Sequence, residues 1–217
     1  RVELNKGEKI ISEVKSKVNN SAYVSMYDLA RNNPEDRVMA MMIDTFIGQP
    51  YSMELRTNQQ LGYIVAGGAY ARDNYSGLYF IIQSDGYAAD AVEDRSLTFL
   101  DNISNLLNEV TIESFNTFKS AVRDQINEKS TSISEEAKKR FNRAFKLDND
   151  YDRDRQSLLA LDAMTINDMK STLLRAVDSK SSQAITVLLY ANQHEMPDGE
   201  KTSFQNLDEW KKNRKFK

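Results

Sequence analysis

Residues 54–65 read ELRTNQQLGYIV, and this stretch decides the fold. It has the chemistry of a helix–turn–strand junction. Gly62 can take a backbone conformation that other residues resist, and Tyr63, Ile64 and Val65 are strong strand formers. Upstream, Asn33 and Pro34 form a helix start, with Asn as cap and Pro at the first helical position. Val38, Met41, Met42, Thr45 and Phe46 follow at helical spacing, so their methionines read as a packing surface rather than a ligand box. Gly48 and Pro50 predict an interruption, with a short second helix over Met53 to Gln59. Downstream, Tyr63 to Ala71 and Ser76 to Ser84 predict a strand pair joined through Asp73 and Asn74. The run Leu78 to Ile82 suggests a strand covered on both faces or central to its sheet.

Outward from this junction, Lys9 to Lys17 and Ala22 to Leu29 read as strands around Asn19-Asn20, a plausible hairpin. Ala22, Val24 and Met26 share one face, and Tyr23, Ser25 and Tyr27 the other. Val92, Phe99, Ile103 and Leu106 predict one amphipathic helix from Ala88 to Val110. Thr111 opens another, with Phe115, Phe118, Val122 and Ile126 on a stripe. Ser132 with Glu135 is a possible capping box before Ala137, Phe141, Ala144 and Phe145, and Thr165 with Asp168 marks a further start. Gln183 to Tyr190 returns to strand. The order argues for α+β: an antiparallel sheet with helices packed mainly on one face. Residues 1–196 form the domain, and 197–217 are a polar C-terminal tail that Trp210 could pin.

The chain has 217 residues, 40% hydrophobic and 28% charged, the composition of an ordinary globular domain. No apolar run approaches the roughly 20 residues of a membrane span. A net charge of −3 gives no reason to expect nucleic acid or an anionic membrane as partner. With no cysteine, disulfides and thiolate chemistry are excluded. The start at Arg1, without Met or a leader, reads as a fragment of a longer polypeptide.

Candidate chemistry is sparse. One histidine, His194, precludes H-x-x-E-H and H-E-x-x-H zinc sites and reads as a surface residue. No G-x-S-x-G elbow accompanies it for a triad, and Gly67-Gly68 lacks the Lys-Ser/Thr of a phosphate loop. Asp148, Asp150 and Asp152 imitate the opening of a calcium loop. Arg153 stands where that loop needs Gly, and Leu159 where it needs Glu, so a solvated helix start is the better reading. On residue type alone, Arg56 complements a helix end and Tyr63 is a half-buried strand residue.

Three segments carry a resemblance: Leu55-Arg56-Thr57 with Gln60-Leu61-Gly62-Tyr63-Ile64-Val65, Gly77 to Ser84, and Asp150 to Asp154. Together they resemble the C-terminal half of the pitrilysin and insulin-degrading-enzyme family of zinc peptidases, whose metal motif is H-x-x-E-H. The resemblance implies an inactive, non-zinc-binding domain over 1–196, one of four homologous domains in a two-half clam shell. It implies no cofactor in this chain, zinc in the parent enzyme, and an N-terminal H-x-x-E-H-bearing half as partner, with peptides as substrates. It also implies that Arg56 and Tyr63 reach the substrate backbone and transition state from the non-metal half. Where the resemblance implies a basic polyanion cluster, residues 127–131 read NEKST with one lysine. Family habit favours a periplasmic over a cytoplasmic location. The alternative is a scaffold or assembly subunit of the same fold, without catalysis.

Overall fold

Asn33 and Pro34 begin the helix on which the sheet rests. In the computed structural model, which describes residues 4–31, 33–72, 75–147, 149–197, 201–204, 206–212 and 214, this helix is α1 (Pro34–Ser52). The Asn33 side chain accepts the Asp36 amide at 2.7 Å, as its sequence position predicts. Val38, Met42, Ile43, Phe46, Ile47 and Tyr51 are buried along α1, which lies against strand β3 (Ile64–Arg72). The predicted interruption does not occur. α1 runs through Gly48 and Pro50 and passes directly into a π-helical turn, Met53–Asn58. Pro50 removes one amide, but the helix continues with the Met53 N–H shared between the Gln49 and Pro50 carbonyls. Gly48 is used for packing: a Cβ there would lie 3.4 Å from the Gly67 carbonyl oxygen of β3.

The sheet has five strands in the order β1-β5-β2-β4-β3, with β1 at Lys9–Lys15, β2 at Ser21–Arg31, β4 at Tyr75–Ser84 and β5 at Ala184–Tyr190. It is antiparallel except for β1–β5, which is parallel. The predicted hairpin of the first two strands is corrected here, because β5 lies between them. The link through Asn19-Asn20 therefore spans two strand spacings, near 10 Å. β4 is interior, paired with β2 and β3, and its burial alternates rather than covering both faces. Arg72 pairs with Tyr75; the turn residues Asp73 and Asn74 lie outside the described residues.

Helices cover one face of the sheet. Tyr23, Ser25 and Tyr27 share a face, as alternation predicts, and that face points into the core with Leu188 and Tyr190 of β5. Tyr51 wedges between Phe80 and Phe99, its ring centroid 5.1 Å from each, and its hydroxyl shares a 2.8 Å hydrogen bond with Ser96 Oγ. Burial holds that phenol's pKa well above its ordinary value. The long helix predicted over 88–110 is two, α2 (Ala89–Asp101) and α3 (Ile103–Asn108). They meet at Asn102, whose side-chain amide donates to the Thr98 carbonyl at 2.8 Å and competes with the helical ladder.

Four helices follow: α4 (Ile112–Asn127), α5 (Ile133–Lys146), α6 (Arg153–Ala163) and α7 (Ile166–Val177). Thr111 with Ser114, and Thr165 with Asp168, close full capping boxes. Ser132 caps α5 through the Glu135 amide, but the Glu135 carboxylate turns to Thr131 instead of completing the box. In the tail, Ser203 donates its amide to the Ile11 carbonyl at 2.8 Å and accepts the Ile11 amide at 2.9 Å, along the free edge of β1. Trp210, in the short α8 (Leu207–Lys212), lies between Phe204 and Arg214.

The other face of the sheet is open and apolar. Val187, Val24, Ile81 and Ala66 form one cross-strand row, flanked by Ile185 with Met26 and by Leu189 with Ile64. Met26, Ile64, Ile185 and Val187 are exposed on it.

Between the π-helical turn and β3 the backbone is tightly fixed. The positive φ that the sequence assigns to Gly62 belongs to Gln60, at 52°. Gly62 is needed for space: a Cβ there would lie 1.9 Å from the Gln83 carbonyl oxygen. That obstacle is backbone of an interior strand and cannot rotate away. Gly62→Ala should therefore destabilise the chain by about 3 kcal/mol, read as a lower urea midpoint. An unchanged midpoint would show that the junction is softer than its packing implies.

Candidate functional site

The π-helical turn and the strand after it bring Arg56 and Tyr63 together. Leu55 is fully buried and Leu61 nearly so, so the backbone on both sides of the turn is pinned to the core. The Gln59 amide reaches back to the Glu54 carbonyl, and the Leu61 amide to the Leu55 carbonyl, each at 3.0 Å. The first is the five-residue reach of a π-helix, a geometry often found at functional sites. Arg56, in its last turn, lies with its guanidinium carbon 5.4 Å from the centroid of the Tyr63 ring. This is cation–π range.

Tyr63 is 84% exposed and sits one residue ahead of β3, so its reading as a half-buried strand residue is corrected. Leu61 and Val65 take the buried positions on either side. An aromatic ring this open, carried by a backbone this buried, presents a hydroxyl and a flanking cation to whatever lies over the sheet edge. Ile64, the next residue, belongs to the open apolar face, so the pair stands at its margin.

Sequence reading missed the clamp behind Arg56. Glu54 accepts from the side-chain amides of Asn58, at 2.8 Å, and Gln59, at 2.9 Å. Gln59 Oε1 in turn accepts from Arg95 of α2 at 3.1 Å. The Glu54–Asn58 spacing of four was a usable local signal. The link to Arg95 is 36 residues away in sequence and had none. Beside the clamp lies a hollow of about 440 Å³, floored by Pro50, Met53, Phe99 and Leu106.

The remaining candidates do not join this site. His194 Nδ1 lies 2.8 Å from Ser21 Oγ at the start of β2, partly buried. Asp150 pairs with Arg37 and Arg153, while Asp152 pairs with Arg155; Asp148 lies outside the described residues. Among the described residues no group of three or more His, Cys, Asp or Glu could hold a metal ion.

Residues 42–141 match the family model described as PQQ synthase PqqF-like, C-terminal lobe domain 4. The chain is 26% identical to the insulin-degrading enzyme of Mus musculus over 177 residues, 81% of this chain and 17% of that protein. It is 31% identical over 122 residues to insulin-degrading enzyme-like 1, peroxisomal, of Arabidopsis thaliana, covering 55% of this chain and 12% of that one. Its fold matches pitrilysin with a TM-score of 0.85 at 18% identity, over 99% of this chain and 23% of the other. It also matches the inactive peptidase domain of a putative zinc protease from Bordetella parapertussis, at TM-score 0.61 and 12% identity, over 77% of this chain and 91% of that domain. The chain thus spans less than a fifth of the length of the two curated relatives.

The Glu54 clamp has a testable pH signature. Hydrogen bonds from Gln59 and then Asn58 hold the Glu54 carboxyl below its ordinary pKa of 4.5. A carboxylate with a lowered folded pKa stabilises above that ordinary value and loses its effect as pH falls below it. The protection of the Gln59 and Leu61 amides, taken relative to the unstructured exchange rate at each pH, should therefore fall on acidification below 4.5. In Glu54→Ala that protection should be low at every pH, while β4 stays protected. Equal exchange in the wild type and the variant would remove the clamp from the account.

Proposed function

From a chain that is a C-terminal-lobe domain of the pitrilysin and insulin-degrading-enzyme family of zinc peptidases, we propose the following role: a non-catalytic wall of a peptide chamber that lends Arg56 and Tyr63 to the reaction. The observation that carries this reading is the exposed Tyr63 ring, flanked by the Arg56 guanidinium at 5.4 Å and rooted in a buried junction. The residue types and the seven-residue spacing are those the resemblance assigns to substrate contact.

In this reading the metal site belongs to the H-x-x-E-H-bearing half of the same polypeptide and supplies activated water to a peptide carbonyl. This chain contributes hydrogen-bond donors. As the carbonyl gains a fourth substituent its oxygen gains negative charge, and the Tyr63 hydroxyl donates to it. Arg56 donates to a neighbouring carbonyl through its fixed fork of N–H groups and adds positive potential beside the developing charge. The cation–π contact limits the rotamers of both side chains before substrate arrives, so less ordering is left for the transition state. The open face beside them, with Val24, Ile81 and Val187, gives a peptide an apolar floor. Closure of the two halves around that floor would exclude folded proteins by size.

A second reading has a specific observation behind it. Solved relatives of this fold are described as inactive peptidase domains, one of them from Pseudomonas fluorescens at TM-score 0.58. A scaffold or assembly subunit would keep the sheet and helices while using neither Arg56 nor Tyr63.

Tyr63→Phe separates the two. It keeps the ring under Arg56 and removes only the donor, on a side chain too exposed to support the core. In the complete polypeptide, kcat for a quenched fluorescent peptide should fall about 100-fold, in line with the loss of one transition-state donor. KM should move little. Unchanged kcat in an active polypeptide would overturn the assignment of Tyr63. A correctly folded, zinc-loaded polypeptide that hydrolyses no peptide would favour the scaffold.

A further inference from the structure

Helix α5 is built inside out. Its sequence, ISEEAKKRFNRAFK, is amphipathic, yet none of its residues is buried. Ile133, Ala137, Phe141 and Phe145 fall every four residues and line one side of the helix. That side faces away from the body: Ile133 is 90% exposed, Phe141 56% and Phe145 75%. The two phenylalanine rings stack on each other with centroids 4.6 Å apart. The side turned inward is polar. Lys139 and Arg143 both reach Asp154 of α6, at 3.3 Å and 2.5 Å, and Glu136 accepts from Ser130 at the helix's own start. A helix whose charged side rests on its own domain, and whose apolar side meets water, is incomplete in isolation.

We infer that the Ile133–Phe141–Phe145 side of α5 is an interface, and that it docks on an apolar groove with an acidic rim in another domain of the same polypeptide. The inference rests on the reading of this chain as one part of a larger peptidase. Two observations choose the occupant. The first is length: the chain accounts for 17% of the insulin-degrading enzyme it matches and 23% of pitrilysin, so most of such a polypeptide is available to cover it. The second is charge. α5 carries five bases, Lys138, Lys139, Arg140, Arg143 and Lys146, against two acids, Glu135 and Glu136. Both acids are engaged near the helix start, Glu135 with Thr131 and Glu136 with Ser130 and Arg140. Lys138, next to Phe141 and Phe145 on the helix surface, and Lys146, at the helix end, are both exposed. Two copies of this helix would set like charges against each other, whereas an acidic rim would complement them.

Hydrogen exchange tests the docking without any peptide substrate, so its outcome is separate from that of the Tyr63 experiment. Amides 137–146 should exchange at least ten-fold more slowly in the complete polypeptide than in this chain alone, with α1 and β4 as internal controls in both samples. Phe141→Glu combined with Phe145→Glu should abolish the difference while α1 and β4 keep their protection. Lys138→Glu combined with Lys146→Glu should reduce it and weaken its dependence on salt. Equal exchange in the two samples would overturn the interface. Protection that appears in this chain alone as its concentration rises would assign the surface to a second copy and overturn the intramolecular groove. Loss of protection in the phenylalanine variant but not in the lysine variant would overturn the acidic rim.

Discussion

The insertion of β5 between β1 and β2 is the constraint on which the rest of the structure depends. Residues 184–190 must find residues 9–15 on one side and 22–27 on the other, so the sheet stays open until nearly the whole chain is available. Such pairings carry a loop-closure cost before any contact rewards them. The buried hydrogen bond between Ser25 and Thr186 at 2.8 Å, with Leu188 and Tyr190 in the core, helps fix the register once the strand is in place. With β5 inserted, β1 becomes an edge, and the tail runs along it through Ser203. The opposite edge, β3, is shielded by α1, whose Asp44 carboxylate accepts the Ala69 amide at 2.8 Å. Both edges are thereby blunted against pairing with other chains. The open surface left to the sheet is a face.

The same arrangement places the candidate site. α1 lies close over β3 because Gly48 lets the helix approach the Gly67 carbonyl and Tyr51 fills the space between Phe80 and Phe99. Once α1 is seated, the π-helical turn can end only where Leu55 and Leu61 both reach the core. That end is the margin of the open face. Arg56 and Tyr63 are exposed there because their neighbours are not, which is how an exposed pair acquires a fixed geometry.

Local physics was legible in the sequence, and distant physics was not. Asn33 and Thr111 stand as the helix starts the sequence marks, capping the Asp36 and Ser114 amides, and Thr165 pairs with Asp168 as its spacing predicts. The alternation of β2 likewise sorted its residues into the two faces, though not which of them would be buried. Errors arose where a remote element decided the outcome. Asn19-Asn20 looked like a hairpin because nothing nearby announces that residues 184–190 will intervene. Pro50 looked like a helix stop because the packing that carries α1 past it comes from β3, β4 and α2. Gly62 looked like a conformational glycine, and the reason for it is a carbonyl 21 residues away at Gln83. Arg56 and Tyr63 were singled out through family resemblance, and the structure adds that the turn between them brings the two side chains into contact. The clamp through Arg95 was legible in neither way.

Amphipathic period tells which residues share a side of a helix but not which side faces in. For α4 and α7 the two questions have one answer, since Phe115 and Val122, and Met169 and Leu173, are buried. For α5 they separate, because its anchor is the pair of bases on Asp154 rather than an apolar seat. Burial raises the pKa of the Asp154 carboxyl, but hydrogen bonding and attraction from Arg143 and Lys139 outweigh that and hold it below its ordinary value. The anchor is therefore strongest with the carboxylate ionised, while the apolar stripe is left for another surface. The domain so described has three sides with different chemistry. Its helical core is satisfied by its own sheet, its open apolar face ends at the Arg56–Tyr63 margin, and α5 turns an apolar stripe outward. In the role proposed above, that third side is where this wall would join the rest of the chamber.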